Sequence, residues 1–263
     1  YQTYVDYAIK NGIVQAGDFT SYTAKATRGQ MAYLFSRALP ASVLPSINNV
    51  QTLPDVTGST KYSQEIFSLY NAGVLTGSDV FGTFKPNDNI IRAEAAAILT
   101  RVALPEQRKT VVLMKQVQWG VAKLAIPQSA GAGVTENGMY TVTSEQDACG
   151  VIATSVTDSA YKGLSVTVLS EQQMNNILTQ AFNSTDGKLS NAKSTKVSFG
   201  SVKAYRTVGI LTTDEGAGDC LIFTYITGNK MDMICLLAYE NDTALKNMAN
   251  GLMVGGVTAS PQF

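Results

Sequence analysis

The sequence predicts a multidomain chain. A mainly α-helical part built on a repeated unit, residues 1–108, precedes an α+β part, residues 109–263, whose mostly antiparallel sheet is covered by helices. Three observations carry this. Two stretches about sixty residues apart read alike, which marks one supersecondary unit used twice. The apolar spacing changes from helical to alternating after Leu104-Pro105-Glu106-Gln107-Arg108-Lys109, where a proline and a cluster of charges suit a domain boundary. A length of 263 residues also suits two domains of ordinary size.

The repeated unit is two helices joined by a loop. Tyr1 to Lys10 and Lys61 to Asn71 are the first helix of each copy, with Tyr62, Ile66, Leu69 and Tyr70 on one face of the latter. Gly12 and Gly73 follow them as left-handed caps. Ala26-Thr27-Arg28-Gly29-Gln30 opens the second helix of copy one, and Ile91-Arg92-Ala93-Glu94 that of copy two, so that Arg28 lies over Arg92 and Arg37 over Arg101. Thr27 can cap its helix; Ile91 cannot, so the later helix borrows a cap from Asn89 or goes without, at about 1 kcal/mol. Ala95, Ile98, Leu99 and Val102 form its apolar stripe. Pro86 to Asn89 reads as a turn, and Pro40 to Pro54 as a loop with little regular structure.

Composition excludes several classes. With 20 basic and 20 acidic residues and no basic run, neither a nucleic-acid nor an anionic-membrane surface is expected. Histidine is absent, which removes Ser-His and Cys-His nucleophiles and histidine-ligated zinc. Cys149, Cys220 and Cys235 lack metal-type spacing and read as buried thiols; no metal and no cofactor is expected. No apolar run approaches the roughly 20 residues of a transmembrane helix.

The motifs of the first part carry a family resemblance. Leu53-Pro54-Asp55-Val56, the segment Tyr62 to Gly77, Phe84-Lys85-Pro86 and Ile91-Arg92-Ala93-Glu94 together resemble one full S-layer homology (SLH) repeat, about residues 53–104. Residues 1 to 40 resemble a second copy that lacks its opening Asp-Val, has Gln30 in place of the family's glutamate, and lacks the turn proline after Phe19. The resemblance implies a secreted surface protein, held non-covalently on a bacterial cell wall or S-layer by a pyruvylated secondary wall polysaccharide. Tyr1 is followed directly by helix-like sequence, so the signal peptide such a location calls for is not in this stretch. Transferred by motif, the carbohydrate-binding residues are Arg92 first, then Arg28, with Glu94, Asp55 and Tyr62, the last where the family commonly places tryptophan. A guanidinium fork at a helix start suits a ketal carboxylate.

In the second part the expected strands are Gln118 to Ile126, Met139 to Thr143, Cys149 to Val156, Lys196 to Phe199, Ala204 to Thr212, Cys220 to Thr227 and Lys230 to Tyr239. The last two are joined at Gly228-Asn229. In that register Ile222 faces Cys235 and Thr224 faces Met233; both faces of the pair are largely apolar, so both are expected to be covered. Ser170 and Gln173 form a capping box for a helix with Met174, Ile177, Leu178, Ala181 and Phe182 on its buried side. A closing helix from Asp242 to Met253 buries Leu245, Met248, Ala249, Leu252 and Met253. This order of elements resembles the Mog1/PsbP-like fold, whose members are mostly binding or assembly factors.

Catalytic signals are sparse. Ser159 to Lys162 and Ser190 to Lys193 fit Ser-x-x-Lys without the motifs that accompany it in penicillin-binding enzymes. Glu136, Glu145, Asp147 and Glu171 are the carboxylates available for a glycosidase pair. The expected function is a wall-attached protein displaying a non-catalytic domain with a protein or glycan partner. A wall-acting hydrolase, and a structural protein with degenerate repeats, stand as alternatives.

Overall fold

A computed structural model describes residues 1–183 and 187–260. The chain divides into two compact units, Tyr1–Val111 and Val112–Phe263.

The first unit contains α1 (Gln2–Lys10), α2 (Arg28–Arg37), α3 (Ser63–Asn71) and α4 (Arg92–Ala103). Its regular structure is helical, although loops take up more of it than helices do. Ile66, Leu69 and Tyr70 of α3 are fully buried and form its centre, with Phe84 edge-on to Tyr70 at 6.1 Å. Gly12 and Gly73 both take left-handed backbone, at φ +70° and +72°. The two copies also share a brace: Arg37 donates to the Gly12 carbonyl (3.4 Å) and Arg101 to the Val74 carbonyl (3.1 Å).

The expected stripe of α4 is too wide. Ile98 and Val102 are buried but Leu99 is half exposed, because α4 rests on the unit along one edge only. Ile91 supplies no cap, and Asn89 does not replace it; Asn89 pairs instead with Thr27 as an isolated bridge. Glu94 Oε2 accepts the Ile91 N–H at 3.2 Å, half of a capping box.

The second unit is built on a seven-stranded antiparallel sheet. Its strands are β3 (Val134–Glu136), β4 (Met139–Ser144), β5 (Cys149–Thr157), β6 (Lys188–Phe199), β7 (Val202–Thr213), β8 (Gly216–Thr227) and β9 (Lys230–Ala238), in spatial order β3-β4-β5-β9-β8-β7-β6. A smaller sheet joins β1 (Met114–Trp119), β2 (Ala122–Pro127), β10 (Met253–Val254) and β11 (Val257–Thr258). The β8–β9 register places Ile222 opposite Cys235 and Thr224 opposite Met233, as the Gly228-Asn229 turn requires. One face packs on α5 (Glu171–Asn183) through Met174, Leu178, Phe182, Tyr205, Ile222 and Cys235. On α6 (Asp242–Gly251) Ala244, Leu245, Met248 and Ala249 are buried.

Other local expectations change for definite reasons. Gln118 to Ile126 is not one strand: Gly120, at φ +55°, turns the chain back, and Gln118 pairs with Lys123. β6 starts eight residues earlier than the alternation suggests, since a register shift between Ser190 and Lys193 interrupts the pattern. On α5 only one row is buried; Ile177 and Ala181 are exposed. The last helix stops at Gly251, and Met253 opens β10. All three cysteines are free and buried, and burial, with Asp147 nearby, pushes the Cys149 thiol up to about 12.

Candidate functional site

The site is assembled by the Phe84 turn. The Asp55 carboxylate accepts the N–H groups of Phe84 (2.9 Å) and Lys85 (2.6 Å), which holds Lys85 in left-handed backbone at φ 58°. So fixed, the turn points the Pro86 and Asp88 carbonyls at the start of α2, where they accept from Gly29 and Arg28, each at 2.9 Å. Glycine permits this close approach, because a Cβ on Gly29 would lie 3.0 Å from the Pro86 oxygen, tight enough to push the turn back by a few tenths of an ångström. The first two orphan donors of α2 are therefore satisfied by copy two.

The Arg28 side chain completes this joint. Its Nε donates to the Phe84 carbonyl at 2.6 Å, its Nη1 pairs with Glu94, and its guanidinium stacks 5.1 Å over the Phe84 ring. It is 12 % exposed, and Glu94 is 40 % exposed. The Ile91 N–H and Arg28 together outweigh burial and hold the Glu94 carboxyl below its usual range. Tyr62, left-handed at φ 66°, lies at 4.9 Å from the Tyr33 ring with the Lys61 ammonium 4.9 Å over its own. Tyr33 donates to Asp18 at 2.6 Å, a bond that pushes the phenol up to about 12 and Asp18 down.

Of the five residues singled out in the sequence, Arg28, Glu94 and Asp55 thus meet around Phe84, with Tyr62 beside Tyr33. Arg92 stands apart. It is exposed at the first position of α4, and among the described residues neither its side chain nor the N–H groups of Arg92 and Ala93 meet an acceptor. A free guanidinium beside free first-turn donors has the chemistry to attract an anion. The sequence signalled the arginine but not these open backbone donors; the clue was Gly29, whose absent side chain lets the other helix start be covered.

A cavity of about 270 Å³ lies in copy one, lined by Tyr4, Phe19, Tyr22, Lys25 and Gln30 among others. In the second unit the catalytic candidates are dispersed. Ser159 sits in a one-turn 3-10 helix, Ser190 and Lys193 flank the β6 irregularity, and Ser190 Oγ approaches the Ile210 carbonyl at 3.4 Å. Asp147 accepts from Ser129 and Ser144; Glu136 ends β3, Glu145 follows β4 and Glu171 opens α5. Among the described residues no three His, Cys, Asp or Glu side chains gather as a metal site, and no helix is long and apolar enough to cross a membrane.

The family model of the S-layer homology domain matches residues 52–96, the second copy. No curated protein matches the chain. Among solved structures, the chain is similar to cyanobacterial PsbP (CyanoP) from Synechocystis sp. PCC 6803, at 11% identity and a TM-score of 0.42 over 55% of this chain and 94% of that one. It is also similar to a protein of Bacteroides thetaiotaomicron VPI-5482, at 8% identity and a TM-score of 0.33 over 51% of this chain and 45% of that one.

Proposed function

We propose that the first unit holds the protein non-covalently on a bacterial cell wall, with Arg92 reading an anionic group of a secondary wall polysaccharide, and that the second unit is a non-catalytic binding domain displayed there. The observation that carries this is the asymmetry of the helix starts. At α2 the arginine and the first two N–H groups are occupied by protein, whereas at α4 the same groups face solvent. A ketal carboxylate on the glycan meets both the fork and the backbone donors. The S-layer homology match over residues 52–96 supports the wall as the target. In this reading Arg28, Glu94, Asp55 and Tyr62 act as the frame that holds the Phe84 turn and the α4 start in place.

The test is co-sedimentation with purified wall. Arg92→Ala should weaken binding by roughly tenfold to a hundredfold, the loss of one charge-assisted bidentate contact, and Arg92→Lys should recover part of it. Chemical removal of pyruvate should have the same effect as Arg92→Ala. Binding indifferent to both would leave the repeats a packing scaffold, and release of soluble sugar or peptide from the wall would make the protein a hydrolase.

A further inference from the structure

The large sheet of the second unit is covered unevenly. Cross-strand partners share a face, and Ile152 pairs with Cys235, which pairs with Ile222 beneath α5. Thr141 pairs with Ile152, and Thr143 with Gly150, so these lie on the α5 side as well. Yet α5 sits over β6 and its neighbours, and the β4–β5 half is left as a groove of about 470 Å³. Its floor is Thr141, Thr143, Gly150, Ile152 and Leu237. One wall is Tyr239, whose hydroxyl meets Thr213 Oγ1 at 2.9 Å. Filling the floor by mutation of Gly150 is barred, since a Cβ there would lie 2.9 Å from the Val142 carbonyl.

The rim carries Glu145, Asp214 and Glu215, and no basic side chain lines the groove. Among the described residues none of these three carboxylates forms an ion pair. Beneath the groove β5 is already paired on both sides, to β4 and to β9, so an added strand would find no donors or acceptors on it. What fits is a compact body held by apolar contact, of the size that small-molecule clefts accept. The acidic rim sets its charge.

We propose that this groove binds a small organic cation, an ammonium or guanidinium on an apolar body, with the body on the Ile152–Leu237 floor and the charge toward Glu145, Asp214 and Glu215. Calorimetric titration of the whole chain with 4-phenylbutylammonium, beside the matched alcohol and the matched carboxylate, tests it. The ammonium should bind saturably at one site and the other two should not. Thr143 is exposed on a strand, where an aromatic is well tolerated, so Thr143→Trp should fold normally and abolish binding. The exposed triple change Glu145→Gln, Asp214→Asn, Glu215→Gln should weaken binding roughly tenfold, and added salt should weaken it only while the carboxylates are present. Equal binding of ammonium and alcohol, or binding unaffected by Thr143→Trp, would overturn the assignment. Arg92 takes no part, so failure here leaves the wall-binding reading untouched.

Discussion

Copy one and copy two of the helical unit have the same plan and opposite fates. In copy two the first helix buries Ile66, Leu69 and Tyr70 completely; in copy one α1 buries no residue, and Tyr1, Tyr4 and Tyr7 are mostly exposed. Phe84 is buried under Arg28, whereas its counterpart Phe19 is half buried against Tyr22 and Tyr33. The two arginines reverse this order, Arg28 being enclosed and Arg92 free. A motif therefore sets where an arginine stands, and the neighbour that packs on it decides whether it becomes a strut or stays free.

The capping glycines offer the sharpest way to break the comparison. Both take φ near +70°, which costs an alanine about 1 kcal/mol. Gly12 has open space around it. At Gly73 a Cβ would meet Ile47 at 2.6 Å and the Lys109 carbonyl at 2.7 Å, and backbone cannot swing aside. Gly73→Ala should thus cost about 3 kcal/mol or more, and Gly12→Ala about 1 kcal/mol, in denaturant unfolding. Equal losses would mean that the two copies are equally loose at this position.

The arginines come next in size. Arg28→Ala leaves the Phe84 carbonyl without its donor and Glu94 without its cation, and should destabilise the first unit by about 1–3 kcal/mol, the lower part applying because Glu94 is 40 % exposed and its pairing is screened. Arg92→Ala should stay within about 0.5 kcal/mol, as surface changes do. If both lose stability alike, Arg92 has a structural partner and is not reserved for a ligand.

What the sequence revealed follows from how local each signal is. The capping box of Ser170 and Gln173, the Gly228-Asn229 hairpin and the left-handed glycines are set by a few adjacent residues, and each appears where expected. The exposure of Leu99, Ile177 and Ala181 depends on which neighbours a helix rests against, and periodicity holds no record of that. In the site the arginines were legible as a repeat. The covering of Arg28 by Pro86 and Asp88 was not, because it joins residues 56 apart or more through backbone carbonyls. β3, β10 and β11 are two or three residues long, too short for alternation to register.

Acid should separate the two units by a smaller margin. The Glu94 carboxyl is lowered by the Ile91 N–H and Arg28, so its contribution is full above the ordinary carboxylate pKa of about 4.3 and disappears as pH falls through the folded value. Asp232 runs the other way. Burial raises its pKa and outweighs Ser155, Lys230 and Tyr225, so its contribution is full below about 3.9 and is lost as pH rises through the folded value. Thermal unfolding from pH 7 to pH 3 should show Glu94→Gln flattening the acid loss of the helical unit. Asp232→Asn should raise the melting temperature at pH 7 by a few degrees, at about 2–4 °C per kcal/mol, and converge with the parent in acid. A parallel offset at every pH would assign both effects to packing.

The smallest change makes copy one more like copy two. Gln30 occupies the place of Glu94 and already closes a capping box, its Oε1 accepting the Thr27 N–H at 2.8 Å while Thr27 Oγ1 accepts the Gln30 N–H at 3.2 Å. Gln30→Glu keeps both bonds and places a negative charge in the first turn of α2, which has no acidic residue there. The interaction with the helix dipole is worth about 0.3–1 kcal/mol near a terminus, and partial exposure puts this case at the lower end. Stability should therefore rise by a few tenths of a kcal/mol, more at low salt than at high. In the same cavity Lys25 lines the wall with Tyr4 and Tyr22, so the new carboxylate also has a cation within the pocket. Because Arg92 and the α4 start are untouched, wall binding should not move. A fall in wall binding on Gln30→Glu would place the glycan in the copy-one cavity and shift the anchoring role from α4 to the aromatic face of α1.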